Sequence, residues 1–343
     1  MPARVDLKGL DREELKRLVE ELGEPSYRAE QIMRWIYRHD ASSVDAMTNL
    51  SKGLRERLAR VATIGRLAAV SGEQSVDGTR KFLFRLADGA AVEAVLIPDG
   101  KRRTACISSQ AGCGIGCPFC ATGLDGLVRN LKAGEIVEQV LALQRLTGER
   151  VSHVVFMGMG EPFANYGEVL KAAGLLSDPN GVGIGARRIT ISTSGVVPAI
   201  RRFAREGVQY GLAISLHAAS DPVRDVLVPL NRKYPIDQLL DACREYVERT
   251  NRRVTFEYVM IRGVNDGPEQ AARLVALLKG MLCHVNLIPL NPVAGTGYQR
   301  STPEAVRRFA RIVRDGGIEV TVRRERGADI QAACGQLRRS RVR

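Results

Sequence analysis

The sequence predicts an α/β protein: a partial barrel of about six βα units, with a small helical unit before it and a β-hairpin extension between the two. Three observations predict this. From Thr104 onward, short β-type runs alternate with amphipathic helical stretches, the pattern of a parallel sheet joined by right-handed crossovers. Glycines and polar residues cluster directly after the β runs, where such barrels place their functional loops. A length of 343 residues accommodates a partial barrel with extensions, whereas a complete eightfold barrel alone takes about 250.

The helical unit occupies residues 1–64. Asp11 to Glu14 is a capping-box pattern, and Leu15, Leu18, Val19 and Leu22 then repeat at helical spacing until Gly23 stops the run. A second helix carries Ala29, Ile32, Met33 and Ile36 on one face, with Trp35 and Tyr37 nearby. A third follows Ser51 with Leu54, Leu58 and Val61. A basic helical appendage suits either contact with nucleic acid or plain packing. In the extension, residues 65–103, the runs Lys81–Leu86 and Ala91–Ile97 flank Asp88-Gly89, a hairpin signal. Alternation sets Glu93 on one face with Val95 and Ile97, leaving Val92, Ala94 and Leu96 on the other. A carboxylate on such an apolar strand is paired, holds a raised pKa suited to proton transfer, or reaches water at a sheet edge.

The barrel, residues 104–323, has predicted strands at Thr104–Ser108, His153–Gly158, Arg188–Thr193, Gly211–Leu216, Val254–Met260 and His284–Leu290, with Ile318–Val322 after them. Helical stretches such as Ala133–Leu146, Ile236–Thr250 and Glu269–Lys279 lie between. Residues 324–343 form a tail. No run approaches the roughly 18 apolar residues of a membrane span, and the N-terminus lacks the apolar core of a signal peptide. Seven cysteines, mostly grouped as ligands, argue for a reducing compartment, so the expected location is the cytoplasm. The formal charge is +13, with arginine pairs such as Arg187-Arg188, Arg307-Arg308 and Arg323-Arg324. This excess suits a polyanionic partner, RNA or DNA, or reflects an arginine-rich surface.

The most informative stretch is Ala111-Gly-Cys-Gly-Ile-Gly-Cys-Pro-Phe-Cys-Ala-Thr-Gly123. It sets Cys113, Cys117 and Cys120 in a CxxxCxxC spacing inside a glycine-rich loop. Soft thiolates select zinc, copper(I) or iron–sulfur clusters. Three ligands leave one iron of a four-iron cluster open for chemistry; the alternative is a structural zinc closed by Cys106. Further clusters follow the later strands: Gly158-Met-Gly-Glu-Pro162, Ser192-Thr-Ser-Gly195, Ser215-Leu-His217 and Asn286-Leu-Ile-Pro-Leu-Asn291. Glycines, the carboxylate of Glu161, serines and an asparagine would suit a small polar ligand with amine and ribose groups. Cys243 and Cys283 read as core thiols, and His39, His153 and His284 as structural. Cys334 lies between arginines, where positive charge favours the thiolate. Cys106 ends up near the cysteine loop, and the reactivity of these two thiols is open on residues alone.

These strings resemble the RlmN/Cfr family of RNA methyltransferases within the radical S-adenosylmethionine (SAM) superfamily. The resemblance runs through Cys106-Ile-Ser-Ser-Gln-Ala-Gly-Cys113, the clusters above, Arg188-Ile-Thr-Ile-Ser-Thr-Ser-Gly195 and Asp329-Ile-Gln-Ala-Ala-Cys-Gly-Gln-Leu337, in family order over almost the whole chain. It implies a partial (β/α)6 radical SAM barrel whose [4Fe–4S] cluster sits on Cys113, Cys117 and Cys120. SAM, two molecules per turnover, would lie against Gly160, Glu161, Ser192, Ser215, Leu216, His217 and Asn291. By the same resemblance Cys334 is methylated first by ordinary displacement. A 5′-deoxyadenosyl radical from a second SAM takes hydrogen from the methylated thiol, and the carbon radical adds to adenine. Cys106 then captures Cys334 as a disulfide, and Cys106 or Glu93 accepts the proton.

The implied substrates are an adenosine of 23S rRNA near the peptidyl transferase centre and an adenosine of tRNA. Each base must be splayed from its stack to react, while residues 1–64 contact the RNA and arginines hold phosphates. A flavodoxin-like electron donor, a monomeric state and no membrane association complete the expectation. Ile288-Pro-Leu290 resembles the carbon-2 branch of the family; the alternative is the carbon-8, Cfr-type branch. A rival from another class is a non-catalytic, metal-containing RNA-binding protein. Phe163-Ala164 departs from the aliphatic pair usual after Gly-Glu-Pro, which bears on packing of the ligand loop.

Overall fold

A computed structural model describes residues 4–337; residues 338–343, part of the predicted tail, lie outside the described residues. At the N-terminus, strand β1 (Val5–Asp6) leads to helices α1 (Arg12–Glu21), α2 (Arg28–Tyr37) and α3 (Lys52–Val61). Strand β2 (Ala62–Thr63) then returns to pair in parallel with β1, drawing the ends of this unit together. The capping box of α1 forms as expected: the Asp11 carboxylate accepts from Glu14 N at 2.9 Å, and the Glu14 carboxylate from Asp11 N at 2.8 Å. Leu15, Val19, Ile32, Met33, Ile36, Leu54 and Leu58 are buried, whereas Val61, on the last turn of α3, is exposed.

A buried ion pair docks this unit on the barrel. Lys8 Nζ donates to Gly65 O at 2.6 Å and to the carboxylate of Glu138, on the helix Ala133–Thr147, and both side chains are almost fully enclosed. Arg145 Nη2 donates to the other Glu138 oxygen at 2.7 Å. Packing is continuous, with apolar residues of α1–α3 and the barrel forming one core.

The extension is an antiparallel meander of β3 (Ala68–Gln74), β4 (Arg80–Arg85) and β5 (Ala91–Asp99), and it prolongs the barrel sheet through pairing of β5 with β6 (Arg102–Cys106). The predicted hairpin is β4–β5. Strand β3 was not anticipated: all its residues are exposed on the sheet edge, so no apolar alternation marks it. A small hairpin of β7 (Gln110–Gly112) and β8 (Leu127–Asn130) brackets the cysteine loop and the short helix α4 (Ala121–Leu124).

The barrel continues with α5 (Ala133–Thr147), β9 (His153–Phe156), α6 (Tyr166–Ser177), β10 (Ile189–Thr193), α7 (Val197–Arg205) and β11 (Gly211–Ser215). Then come α8 (Asp221–Leu227), α9 (Ile236–Thr250), β12 (Val254–Met260), α10 (Pro268–Leu278), β13 (Cys283–Pro289), α11 (Pro303–Asp315) and β14 (Glu319–Val322). Strands β6, β9, β10, β11, β12, β13 and β14 are neighbours in chain order and all parallel, so each crossover moves one place along the sheet. The crossovers are α5, α6, α7, α9, α10 and α11, with α8 preceding α9, which matches the expected six units. The sheet stays open, with β3 and β14 at its edges, so the barrel is partial. No helix among the described residues is long and apolar enough to cross a membrane.

Candidate active site

The cysteine loop leaves β7 through Gly112, whose φ is +81°; a Cβ there would stand 2.0 Å from the carbonyl oxygen of Gly126. Cys113 N donates to that same carbonyl at 3.0 Å, and Cys120 N donates to Cys117 O at 3.1 Å, so the loop folds on itself. Cys113, Cys117 and Cys120 line one cleft, partly open to solvent and enclosing about 1030 Å³. Gly160, Glu161, Ser192, Ser215, His217, Asn291 and Cys334 line the same cleft. Leu216 is the one expected SAM-binding residue absent from the lining. It is buried beneath it, donating its N–H to Glu257 O at 3.0 Å and accepting from Arg224 Nε at 3.0 Å.

The strand ends are tied together by two buried ionisable groups. Glu161 accepts from Phe163 N at 3.0 Å through one oxygen, and from Ser194 N and Ser194 Oγ, each at 2.7 Å, through the other. Burial pushes its pKa above the usual carboxylate value, and these hydrogen bonds hold it down in part. Gly160 has a φ of +103°, and a Cβ there would sit 2.6 Å from Gln110 Cβ, so the loop is pressed against the cysteine hairpin. Phe163 is buried against Phe203 and Tyr166, each with ring centroids 5.5 Å away, so the unusual Phe163-Ala164 pair packs well.

Arg224, fully buried, donates to Leu216 O at 3.0 Å, Asn231 Oδ1 at 2.8 Å, Ser194 O at 2.7 Å and Ser215 O at 3.1 Å. Burial lowers its pKa to about 10. It joins the ends of β10 and β11, and nothing in its Asp-Pro-Val-Arg-Asp context signals that task. His217 stands at φ +59° and accepts at Nδ1 from Val259 N, 3.1 Å away. Burial, reinforced by the charge of Arg224, depresses its pKa to about 3, so the ring is neutral.

The tail brings Cys334 to the cysteine loop. Ala121 N donates to Gly335 O at 2.8 Å, Thr122 Oγ1 to Leu337 O at 2.6 Å, and Asn291 Nδ2 to Cys334 O at 3.1 Å. Cys334 has exposed surface, yet that surface faces the cleft and protein atoms crowd the sulfur. The expectation of a favoured thiolate needs correction. Burial raises the Cys334 pKa, and the guanidinium of Arg323, hydrogen-bonded to the thiol, offsets only part of the rise. The same guanidinium acts on Cys106 and on Glu257, a buried carboxylate accepting from Asn286 Nδ2 at 2.9 Å. Burial pushes the Cys106 thiol up to about 12, with Cys334 adding to the rise. Sequence reasoning missed Glu257 and read Arg323 only as surface charge; burial of either has no local signature. All the cysteines are free thiols, so no Cys106–Cys334 disulfide is present.

Glu93 is buried on β5, its carboxylate 3.5 Å from Lys81 Nζ on β4. Of the readings open from sequence, the paired one holds. Glu93 is outside the cleft lining, but it shares a sheet face with Val95, which lies opposite Cys106. Cys243 and Cys283 are buried as expected.

The donor set fits an iron–sulfur cluster. Burial raises the thiols, Cys113 to about 12 and Cys117 well above its usual value, and the neighbouring sulfurs raise Cys117 further. A coordinated metal cation deprotonates such thiols outright. Among the described residues no three His, Cys, Asp or Glu side chains converge on a single metal ion. Three thiols on one cleft, with no further cysteine among its lining residues except Cys334, supply the three-cysteine donor set that leaves one iron of a cluster open. Cys106, the fourth ligand of the zinc alternative, faces Cys334 and Arg323 instead.

Comparison with known proteins places this architecture. Residues 5–64 match the Ribosomal RNA large subunit methyltransferase N-terminal domain, and residues 107–275 match the Radical SAM superfamily. A protein of Symbiobacterium thermophilum named "Probable dual-specificity RNA methyltransferase RlmN" is 53% identical over 340 residues, 98% of this chain and 91% of that protein. One of the same name from Desulforudis audaxviator is 54% identical over 306 residues, covering 89% of this chain and 96% of that one. The crystal structure of a radical SAM methyltransferase from Sphaerobacter thermophilus superposes with a TM-score of 0.93 at 51% identity, over 98% of this chain and all of that one.

Proposed function

Because this chain belongs to the RlmN family of radical SAM enzymes, we propose that it methylates carbon 2 of an adenosine in 23S rRNA and of an adenosine in tRNA. The observation that carries this reading is the shared cleft: Cys334 lines it together with Cys113, Cys117 and Cys120. When bound, the [4Fe–4S] cluster and SAM supply an electron and a methyl donor, which allow attack on an aromatic carbon too poor in nucleophilicity for direct methyl transfer.

Cys113, Cys117 and Cys120 hold the cluster. Gly160, Glu161, Ser192, Ser215, His217 and Asn291 line the SAM site, and Leu216 shapes it from beneath. Cys334 carries the carbon to be delivered. Arg323, facing its sulfur, stabilises the thiolate needed to accept a methyl group. Cys106 releases the product by attacking the Cys334 sulfur, so that a sulfur–sulfur bond forms as the carbon–sulfur bond breaks; the departing carbon keeps the electron pair and takes a proton to become the methyl group, and an external thiol reductant restores the two cysteines. Cys106 or Glu93 accepts the proton from carbon 2; Lys81 Nζ, 3.5 Å from the Glu93 carboxylate, is that group's ion-pair partner. Residues 1–64 form an RNA-contacting domain, 65–103 a β extension, 104–323 the barrel and 324–343 the carrier tail. The protein works as a cytoplasmic monomer fed by a flavodoxin-like donor.

The test is anaerobic reconstitution, reaction with SAM, reductant and a 23S rRNA fragment or tRNA, and mass spectrometry of the nucleosides. 2-Methyladenosine is expected. 8-Methyladenosine as the main product replaces this reading with the carbon-8 one. Bound zinc with no SAM cleavage replaces it with a non-catalytic RNA binder. Cys334→Ala should retain iron and sulfide yet transfer no methyl group; full activity refutes the carrier role.

A further inference from the structure

Beyond Arg323 lies a second groove, open to solvent along one side. Its floor is apolar, formed by Pro289, Pro303, Val306 and Val322, and its rim carries Arg262, Arg300, Arg307 and Arg324. Val322 is 43% exposed on β14, an edge strand of the main sheet, so the groove leaves an apolar side chain uncovered. A smaller cavity lies between the groove and the cleft: its lining includes Arg300, Arg323 and Arg324 of the groove, and Asn291 and Cys334 of the cleft.

Two features mark the groove as built for a ligand. Ser301, only 4% exposed, lines it, and its hydroxyl has no hydrogen-bond partner among the described residues. Thr302 then caps α11, accepting from Ala305 N at 3.2 Å, so the positive end of a 13-residue helix opens at the groove wall. The rim charge is only partly neutralised. Arg300 pairs with Glu325, and Arg307 reaches Glu304 at 2.7 Å. Arg262 touches only the neutral Gln299, at 3.3 Å, and Arg324 has no ion pair among the described residues.

We propose that this groove holds a nucleotide of the RNA substrate next to the one being modified. Its base lies on Pro289, Val306 and Val322, and its phosphate lies between Arg262, Arg324 and the first turn of α11. An apolar floor under a cationic rim is complementary to a nucleotide, whose base face stacks while its phosphate pairs with arginine. A target base splayed into the cleft beside Cys334 leaves its neighbour at the mouth, where the intervening cavity lies beside the groove.

The inference rests on the RNA methyltransferase reading, and its test separates the two. Methylation kinetics and RNA affinity across a salt series are compared for the wild type and the double variant Arg262→Gln/Arg324→Gln. The variant is expected to raise KM for RNA about tenfold or more and to leave kcat at saturating RNA within about twofold. Its slope of log affinity against log salt should fall by about 0.7 to 0.9 for the lost phosphate. Cluster content and RNA-independent SAM cleavage should match the wild type. A wild type that neither binds nor methylates RNA sinks the parent reading. A wild type that does both, beside a variant with unchanged KM and salt slope, overturns the groove assignment alone, as does a variant that loses kcat with KM intact. RNA bearing a photoreactive nucleotide beside the target should crosslink within residues 289–324; crosslinks confined elsewhere also overturn it.

Discussion

His217 should make the fold sensitive to acid. Its Nδ1 accepts from Val259 N at 3.1 Å, which places the ring proton on Nε2. The edge of the ring contact with Phe119, centroids 5.2 Å apart at 85°, and the nearby Arg224 leave no anionic partner for an imidazolium. Protonating Nδ1 would turn an acceptor into a donor facing a donor. Below pH 6.5 the unfolded chain takes up a proton that the folded chain refuses down to about 3, so stability falls with pH across that window. From pH 7.5 to pH 5 this one group removes about 2 kcal/mol, and the full shift is worth about 5 kcal/mol. The perturbation is His217→Asn, chosen because asparagine tolerates the left-handed backbone there. Urea unfolding of cluster-free protein at both pH values measures the loss in each. The variant should lose about 2 kcal/mol less than the wild type. Equal losses would refute the assignment of a neutral, buried imidazole.

Lys8→Met should destabilise the cluster-free protein by about 1–3 kcal/mol in urea, because it leaves one buried Glu138 oxygen without its partner while Arg145 keeps the other. Lys8→Met/Glu138→Leu should recover most of that loss, and a double variant no better than the single one would contradict the account. Glu161→Gln should cost about 1–3 kcal/mol and weaken SAM binding by calorimetry, since an amide donor then faces the Ser194 or Phe163 donors; unchanged values in both assays would exclude the role. Cys106→Ala should leave a stable protein–RNA adduct through Cys334 on a denaturing gel, and a variant that turns over freely would remove Cys106 from the release step.

What the sequence made legible was whatever has a local signature. The capping box at Asp11 and Glu14, the Asp88-Gly89 hairpin and the seven parallel strands each follow from spacing within a short window. The cysteine triad and the Gly-Glu-Pro turn were readable for the same reason. Strand β3 was not, because an edge strand exposed along its length carries no apolar alternation. Arg224, Glu257 and Arg323 were missed for a different reason. A charged residue that is buried looks, in one dimension, like one that is solvated; only the fold decides which acceptors or counter-charges surround it. The prediction for Cys334 failed on the same point: neighbouring arginines in sequence promise a thiolate, but enclosure works against it.

The C-terminal tail and the cysteine loop form one hydrogen-bonded unit, and this constrains how the site can work. Cys120 is followed at once by Ala121, whose N–H holds Gly335 O, and by Thr122, whose hydroxyl holds Leu337 O. Asn291, at the end of β13, holds Cys334 O from the opposite wall. Any movement of residues 120–122 is therefore transmitted to the residues flanking Cys334. Ligation at Cys120, as proposed, would restrain the loop and through these hydrogen bonds the tail, so that the Cys334 thiol would be positioned by the contacts that shape the cysteine cleft. The carrier role proposed for Cys334 would require some freedom of its side chain, since it would meet two partners in succession. The backbone bonds to Gly335 and Leu337 supply the fixed pivot, and the cleft around the Cys334 sulfur supplies the room.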